Sequence, residues 1–141
     1  MKNIGSLSHS KWDCKYHIVW IPKYRKKKLF GAIRKQLVDV LKKLAGQKES
    51  TIIEGRLMPD HVHMLIAIPP KYSVAQVVGF LKGKSAVYIA REIANNRKVK
   101  GYGFWARGYF ASTVGADEKI IRAYIQHQEK EDIRQSQLDL F

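Results

Sequence analysis

The sequence predicts an α+β domain: one antiparallel sheet, two helices on one of its faces, and a further helix at the C-terminus. Three observations predict it. Apolar and β-branched runs alternate with helical-period runs in the order strand, helix, strand, strand, helix, strand. Pro59-Asp60 supplies turn chemistry between two strand-like runs, which makes them a hairpin. The run after that turn is apolar apart from two histidines, as suits a strand buried on both faces.

Residues 1–10 are polar and read as a loose lead-in. The aromatic and β-branched stretch at 12–21 predicts the first strand, and Pro22 ends it. Lys23-Tyr24-Arg25-Lys26-Lys27-Lys28 then places five cations around one tyrosine. It is a candidate phosphate-binding loop, and a plain solvated charge run is the alternative. Ile33, Leu37, Val40, Leu41 and Leu44 share one helical face, so a helix is predicted over 31–46, with Gly46 as its stop.

Residues 51–57 predict the second strand, and the histidine run after the turn predicts the third, ended by Pro69-Pro70. Ser73 can cap a second helix whose buried face is marked by Val74, Val77, Val78, Leu81 and Tyr88. Lys82, Lys84 and Arg91 lie off that stripe. Gly79 and Gly83, one turn apart, would be accounted for by close approach of another backbone. Asn95-Asn96 ends the helix.

Residues 98–108, including Arg107, form a loop rich in glycine, aromatics and cations. Residues 109–114 predict the fourth strand and Gly115 breaks it. Asp117 and Glu118 complement the dipole of a last helix running to about residue 130. The polar tail, 131–141, is expected to be flexible or docked on a partner. The order is the split βαβ, ferredoxin-like and RRM-like pattern βαββαβ, in which the first and third strands are central. No linker or repeat divides the chain, so 1–141 is expected to be one domain.

Composition narrows the function. With 141 residues, 45% of them hydrophobic, the chain can bury a core. No apolar run approaches the roughly 20 residues that span a bilayer, and no membrane association is expected. The N-terminal residues lack a signal-peptide core, and the lone Cys14 excludes an internal disulfide, so a cytoplasmic location is expected. Lys and Arg number 26 against 12 acidic residues, a net charge of +14, which favours a polyanionic partner such as nucleic acid. Lys82, Lys84 and Arg107 join residues 23–28 as candidate DNA contacts. No P-loop or Rossmann glycine pattern is present, so no nucleotide cofactor is expected.

The chemistry gathers at the third strand. His61 and His63, two apart, point to one face and make half of a metal site. On the last helix Tyr124 and Gln128 are four apart and stack on one face. Gln128 can add a carbonyl oxygen, and His127 is the rival ligand. Such a nitrogen and oxygen set suits Mg²⁺ or Mn²⁺ when the substrate supplies further oxygens, with Zn²⁺ the other candidate. Tyr124, weakly nucleophilic because a phenol titrates near 10, becomes effective where a metal polarises its target phosphate. It would form a phosphotyrosine that keeps the bond energy for a reverse step on another strand. A rival reading is a non-catalytic single-strand-binding module. It lacks the RRM aromatic signature and has histidines on the third strand.

These residues carry a resemblance. His61-Val62-His63 resembles the motif of the HUH superfamily of single-strand nucleases. More closely, the chain looks like the single-tyrosine transposases of small bacterial and archaeal insertion sequences. The matching stretches are Tyr16-His17-Ile18-Val19-Trp20 with Lys23-Tyr24-Arg25, Met58-Pro59-Asp60-His61-Val62-His63, Gly108-Tyr109-Phe110, and Tyr124-Ile125-Gln126-His127-Gln128. The resemblance implies a homodimer that cuts and rejoins single-stranded DNA through a 5′-phosphotyrosine and recognises hairpins near the element ends. It implies His61, His63 and Gln128 as metal ligands and Tyr124 as nucleophile. The tyrosine helix can dock on its own or the partner's histidines, with Gly115 as a hinge. Related proteins tied to repeated palindromes share these residues, some of them domesticated. Replication initiators and conjugative nicking enzymes use the same chemistry but carry added domains. The short chain favours the insertion-sequence type.

Overall fold

In a computed structural model of the chain, residues 5–7, 10–93 and 103–114 are described. Eight elements follow in order: β1 (Gly5–Leu7), β2 (Ser10–Trp12), β3 (Lys15–Trp20), α1 (Lys27–Gln47), β4 (Thr51–Leu57), β5 (Val62–Ala67), α2 (Val74–Tyr88) and β6 (Phe110–Thr113). The last helix, Gly115, Tyr124, His127, Gln128 and the tail at 131–141 lie outside the described residues.

The four long-range strands form one antiparallel sheet in the order β4-β5-β3-β6. The first and third strands of the split βαβ pattern are its centre, as the sequence predicts. Every residue of β5 is buried, His63 among its apolar neighbours, as suits a central strand covered on both faces. Even-numbered residues of the two central strands (Ile18, Trp20, Val62, Met64, Ile66) pack on Phe30, Ile33, Leu37 and Leu41 of α1 and Val77, Val78 and Leu81 of α2. Both helices therefore cover one face, and strand alternation turns the odd-numbered residues to the other.

Three boundaries differ from expectation. Trp12 belongs not to the first strand but to β2, which pairs with β1 in a separate ribbon (Gly5↔Trp12), so part of the expected loose lead-in is ordered. β3 starts only at Lys15, beyond the kink at Cys14, whose carbonyl accepts from Ile68 N at 3.0 Å. The first helix starts at Lys27 rather than 31, because fully buried Phe30 extends its apolar face by a turn before Ile33. The cationic stretch is consequently not a loop: Tyr24–Lys26 is a 3₁₀ turn, and Lys27 and Lys28 open the helix.

Ser73 caps α2 as expected, its hydroxyl accepting from Gln76 N (3.0 Å) while the Gln76 side chain accepts from Ser73 N (2.8 Å). No described residue outside the helix's own backbone comes within 4 Å of where a Cβ would stand on Gly79 or Gly83, so within this chain neither glycine marks a close approach. A π-helical turn, Ile89–Ile93, continues the chain beyond α2. No helix among the described residues is long and apolar enough to cross a membrane.

Candidate active site

The turn before β5 sets the site. Met58 N donates to the His61 carbonyl at 2.9 Å, closing a four-residue turn around Pro59-Asp60, and Leu57 then pairs with Val62. His61 is thus the last turn residue, one short of the strand in which the sequence reading places it. Its ring still lands beside His63, with centroids 4.5 Å apart. Both are almost wholly buried, at 3% and 2% exposed.

Asp60 does more than shape the turn. Its Oδ1 lies 2.7 Å from His61 Nδ1. An ionised carboxylate only accepts, so it fixes the proton on Nδ1 and leaves Nε2 with its lone pair, the form in which an imidazole can bind a metal. His63 is pushed down to about 3, first by burial and then by the neighbouring charges of His61 and His17, with the Asp60 charge opposing. It is therefore a neutral imidazole at any physiological pH, the form that binds a metal. A carboxylate-oriented histidine beside a neutral one fits a divalent cation. Among the described residues no group of three or more His, Cys, Asp or Glu side chains is placed to hold a metal.

A third imidazole joins the pair. In the register of β3 on β5, Val19 faces His63 and His17 faces Leu65, which sets His17 diagonally beside His63 with ring centroids 5.4 Å apart and edge to face. Burial lowers its pKa too. Phe110 of β6 pairs with Val19 and packs edge-on against His17 at 5.6 Å. On the other side Arg56 of β4 pairs with His63. A single row thus crosses the sheet on the face opposite the helices: Arg56, His63, Val19, Phe110. The sequence reading assigns no role to His17, Arg56 or Phe110. Period-two alternation puts His17 on one face of the first strand, but the register between strands distant in sequence was needed to bring it to His63.

The candidate DNA contacts divide. Tyr24 is 85% exposed, with the Lys27 ammonium 4.9 Å from its ring centroid. Arg25, Lys28, Lys84 and Arg107 are exposed, whereas Lys23, Lys26 and Lys27 are half-buried. No acidic residue occupies the first turn of α1, so the stretch keeps its positive potential at a helix N-terminus. Lys82 departs from expectation. Its ammonium donates to the carbonyls of Ala106 (2.9 Å) and Gly108 (2.8 Å), and burial lowers its pKa. The loop before β6 takes up two of its three donors, so Lys82 ties α2 to that loop.

With the geometry in hand, comparison with known proteins is decisive. The family model for IS200-like transposases matches residues 10–128. The chain belongs to the IS200-like transposase family. The transposase is 42% identical over 136 residues to the transposase for insertion sequence element IS200 of Salmonella typhimurium, covering 96% of this chain and 90% of the relative. It is 32% identical over 120 residues to the ISDra2 transposase TnpA of Deinococcus radiodurans, covering 83% and 85%. Among solved structures, a Deinococcus radiodurans protein assigned as a transposase superposes with a TM-score of 0.68 at 27% identity, over 88% of this chain and 97% of that one. The fold is shared also with a REP-associated tyrosine transposase bound to a REP hairpin, at a TM-score of 0.58 and 12% identity, over 79% of this chain and 62% of that one.

Proposed function

We propose that this transposase cuts and rejoins single-stranded DNA at the ends of an insertion sequence through a covalent 5′-phosphotyrosine on Tyr124. The observation that carries the reading is the His61–His63 pair, with His61 oriented by Asp60 at the turn and His63 held neutral on the sheet's most buried strand. His61 and His63 would hold Mg²⁺ or Mn²⁺, with Gln128 or its rival His127 completing the protein's share of the ligands. The bound ion supplies positive charge against the oxygens of the attacked phosphate. The Tyr124 phenol oxygen bonds to phosphorus as its proton leaves to solvent, and the bond from phosphorus to the 3′ oxygen breaks. That oxygen takes up a proton and departs as a 3′-hydroxyl. A 3′-hydroxyl of another strand then reverses the step and restores the phenol.

The family supports a transposase acting on DNA. The basic stretch from Lys23 to Lys28, with Lys84 and Arg107, would neutralise the DNA backbone. Hairpin recognition at the element ends, a homodimer, and docking of the tyrosine helix on its own or the partner's histidines complete the proposal. Incubation with hairpin-bearing single-stranded DNA and Mg²⁺ should yield a protein–DNA adduct that survives denaturation. Persistence of that adduct in Tyr124→Phe overturns the reading.

A further inference from the structure

Phe110 lies on the histidine face of the sheet, on the strand that flanks β3. It ends the row that starts at Arg56 and crosses His63, two strand spacings or about 10 Å from the histidine strand. One edge of the contact is fixed, since Phe110 and His17 pack at 69° between ring planes. The rest of the side chain is open, 55% exposed, although the row's interior at His63 is closed. Its anchorage is firm. Lys82 clamps the two carbonyls just upstream, at Ala106 and Gly108, and Gly108 takes the positive φ of +82° that turns the chain into β6. A large apolar ring held rigidly at the rim of a site, in a chain of net charge +14 with exposed Arg107 close by in sequence, has the properties of a stacking platform on a single-strand path.

We propose that Phe110 stacks a nucleobase flanking the scissile phosphate and so positions the strand over the histidine pair, with Arg56 on the opposite flank taking a backbone phosphate. The inference rests on the strand-transfer reading above, but its test does not require cleavage. The probe is a DNA hairpin with single-stranded flanks, taken from the DNA bordering the gene, carrying 2-aminopurine at each unpaired position in turn. In a Tyr124→Phe background, stacking on Phe110 should quench the fluorescence of one position.

Adding Phe110→Leu, which keeps the apolar character without the π face, should relieve that quenching and weaken binding about 5- to 150-fold. Phe110→Trp should restore both, which a purely structural role for the ring would not. Unchanged quenching at every position in Phe110→Leu overturns the proposal, as does failure of Phe110→Trp to restore it. Adduct formation by the unmodified chain on the same DNA is read separately. An adduct with unchanged quenching removes the stacking role alone. Relieved quenching without any adduct supports the stacking role and removes the strand-transfer reading.

Discussion

His61 Nδ1 stands 2.7 Å from the carboxylate of Asp60, its immediate neighbour in the chain. One dipeptide therefore holds both the imidazole and the carboxylate that orients it, and the turn around Pro59 keeps them in place. Asp60→Asn replaces the carboxylate with an amide that can no longer fix the proton on Nδ1. Mn²⁺ affinity, measured by titration calorimetry, should fall about 10- to 100-fold with little change in thermal stability. Equal affinity in the two proteins would contradict the orienting role.

Acid stability follows from His63. Its folded-state pKa is depressed to about 3, while in the unfolded chain it titrates near 6.5. Between these values the unfolded state binds more protons at this site, so stability rises with pH. The contribution is complete above the unfolded pKa and is lost as pH falls through that window, by up to about 1.4 kcal/mol per pH unit. His17, lowered by burial, acts in the same direction. Urea titrations from pH 3 to 7 in chelator should show a shallower slope for His63→Gln than for the parent.

Two kinds of lysine should separate by salt dependence. Lys82→Met strips both carbonyls of their donor and should cost about 1–3 kcal/mol in urea unfolding. It should leave the salt slope of DNA binding nearly unchanged, because two of its three donors are held by the Ala106 and Gly108 carbonyls. Arg25→Ala and Lys28→Ala, both at exposed positions, should each lower that slope by about 0.7 on single strands, with little effect on stability.

The aromatic cluster around Trp105 depends on one buried hydroxyl. Trp105 Nε1 donates to Ser85 Oγ at 3.0 Å, while its ring packs on Trp20, Phe30 and Phe104. Ser85→Ala leaves a buried indole N–H without that acceptor and should destabilise the protein by about 1–3 kcal/mol. Chemical denaturation followed by tryptophan fluorescence checks it.

Much of this architecture was legible in the sequence because it is written in local periodicity. The Pro59-Asp60 turn, the largely apolar β5, the Ser73 cap and the apolar stripes of α1 and α2 all read out over a few neighbouring residues. The helix start was missed because five cations disguised Lys27 and Lys28 as loop, while Phe30 alone carried the apolar face further. The ribbon pairing Gly5 with Trp12 was missed because such a short pairing has no periodicity to show. Lys82 looked like a surface cation because nothing local reveals two carbonyls more than twenty residues away. His61 and His63 were found by spacing, whereas His17 became visible only through the β3–β5 register. Tyr124 and Gln128, named from spacing and resemblance, lie outside the described residues.

The histidines share a backbone with the core. His63 lies between Val62 and Met64, whose side chains are locked among α1 and α2 on the reverse of the sheet. A volume change at Met64 is therefore felt on both faces of one strand, in the core and along the histidine row. Arg56 and Phe110 sit instead on the outer strands, where both are exposed. Substitutions at the rim disturb little packing, whereas the central strand accepts few without a cost in folding.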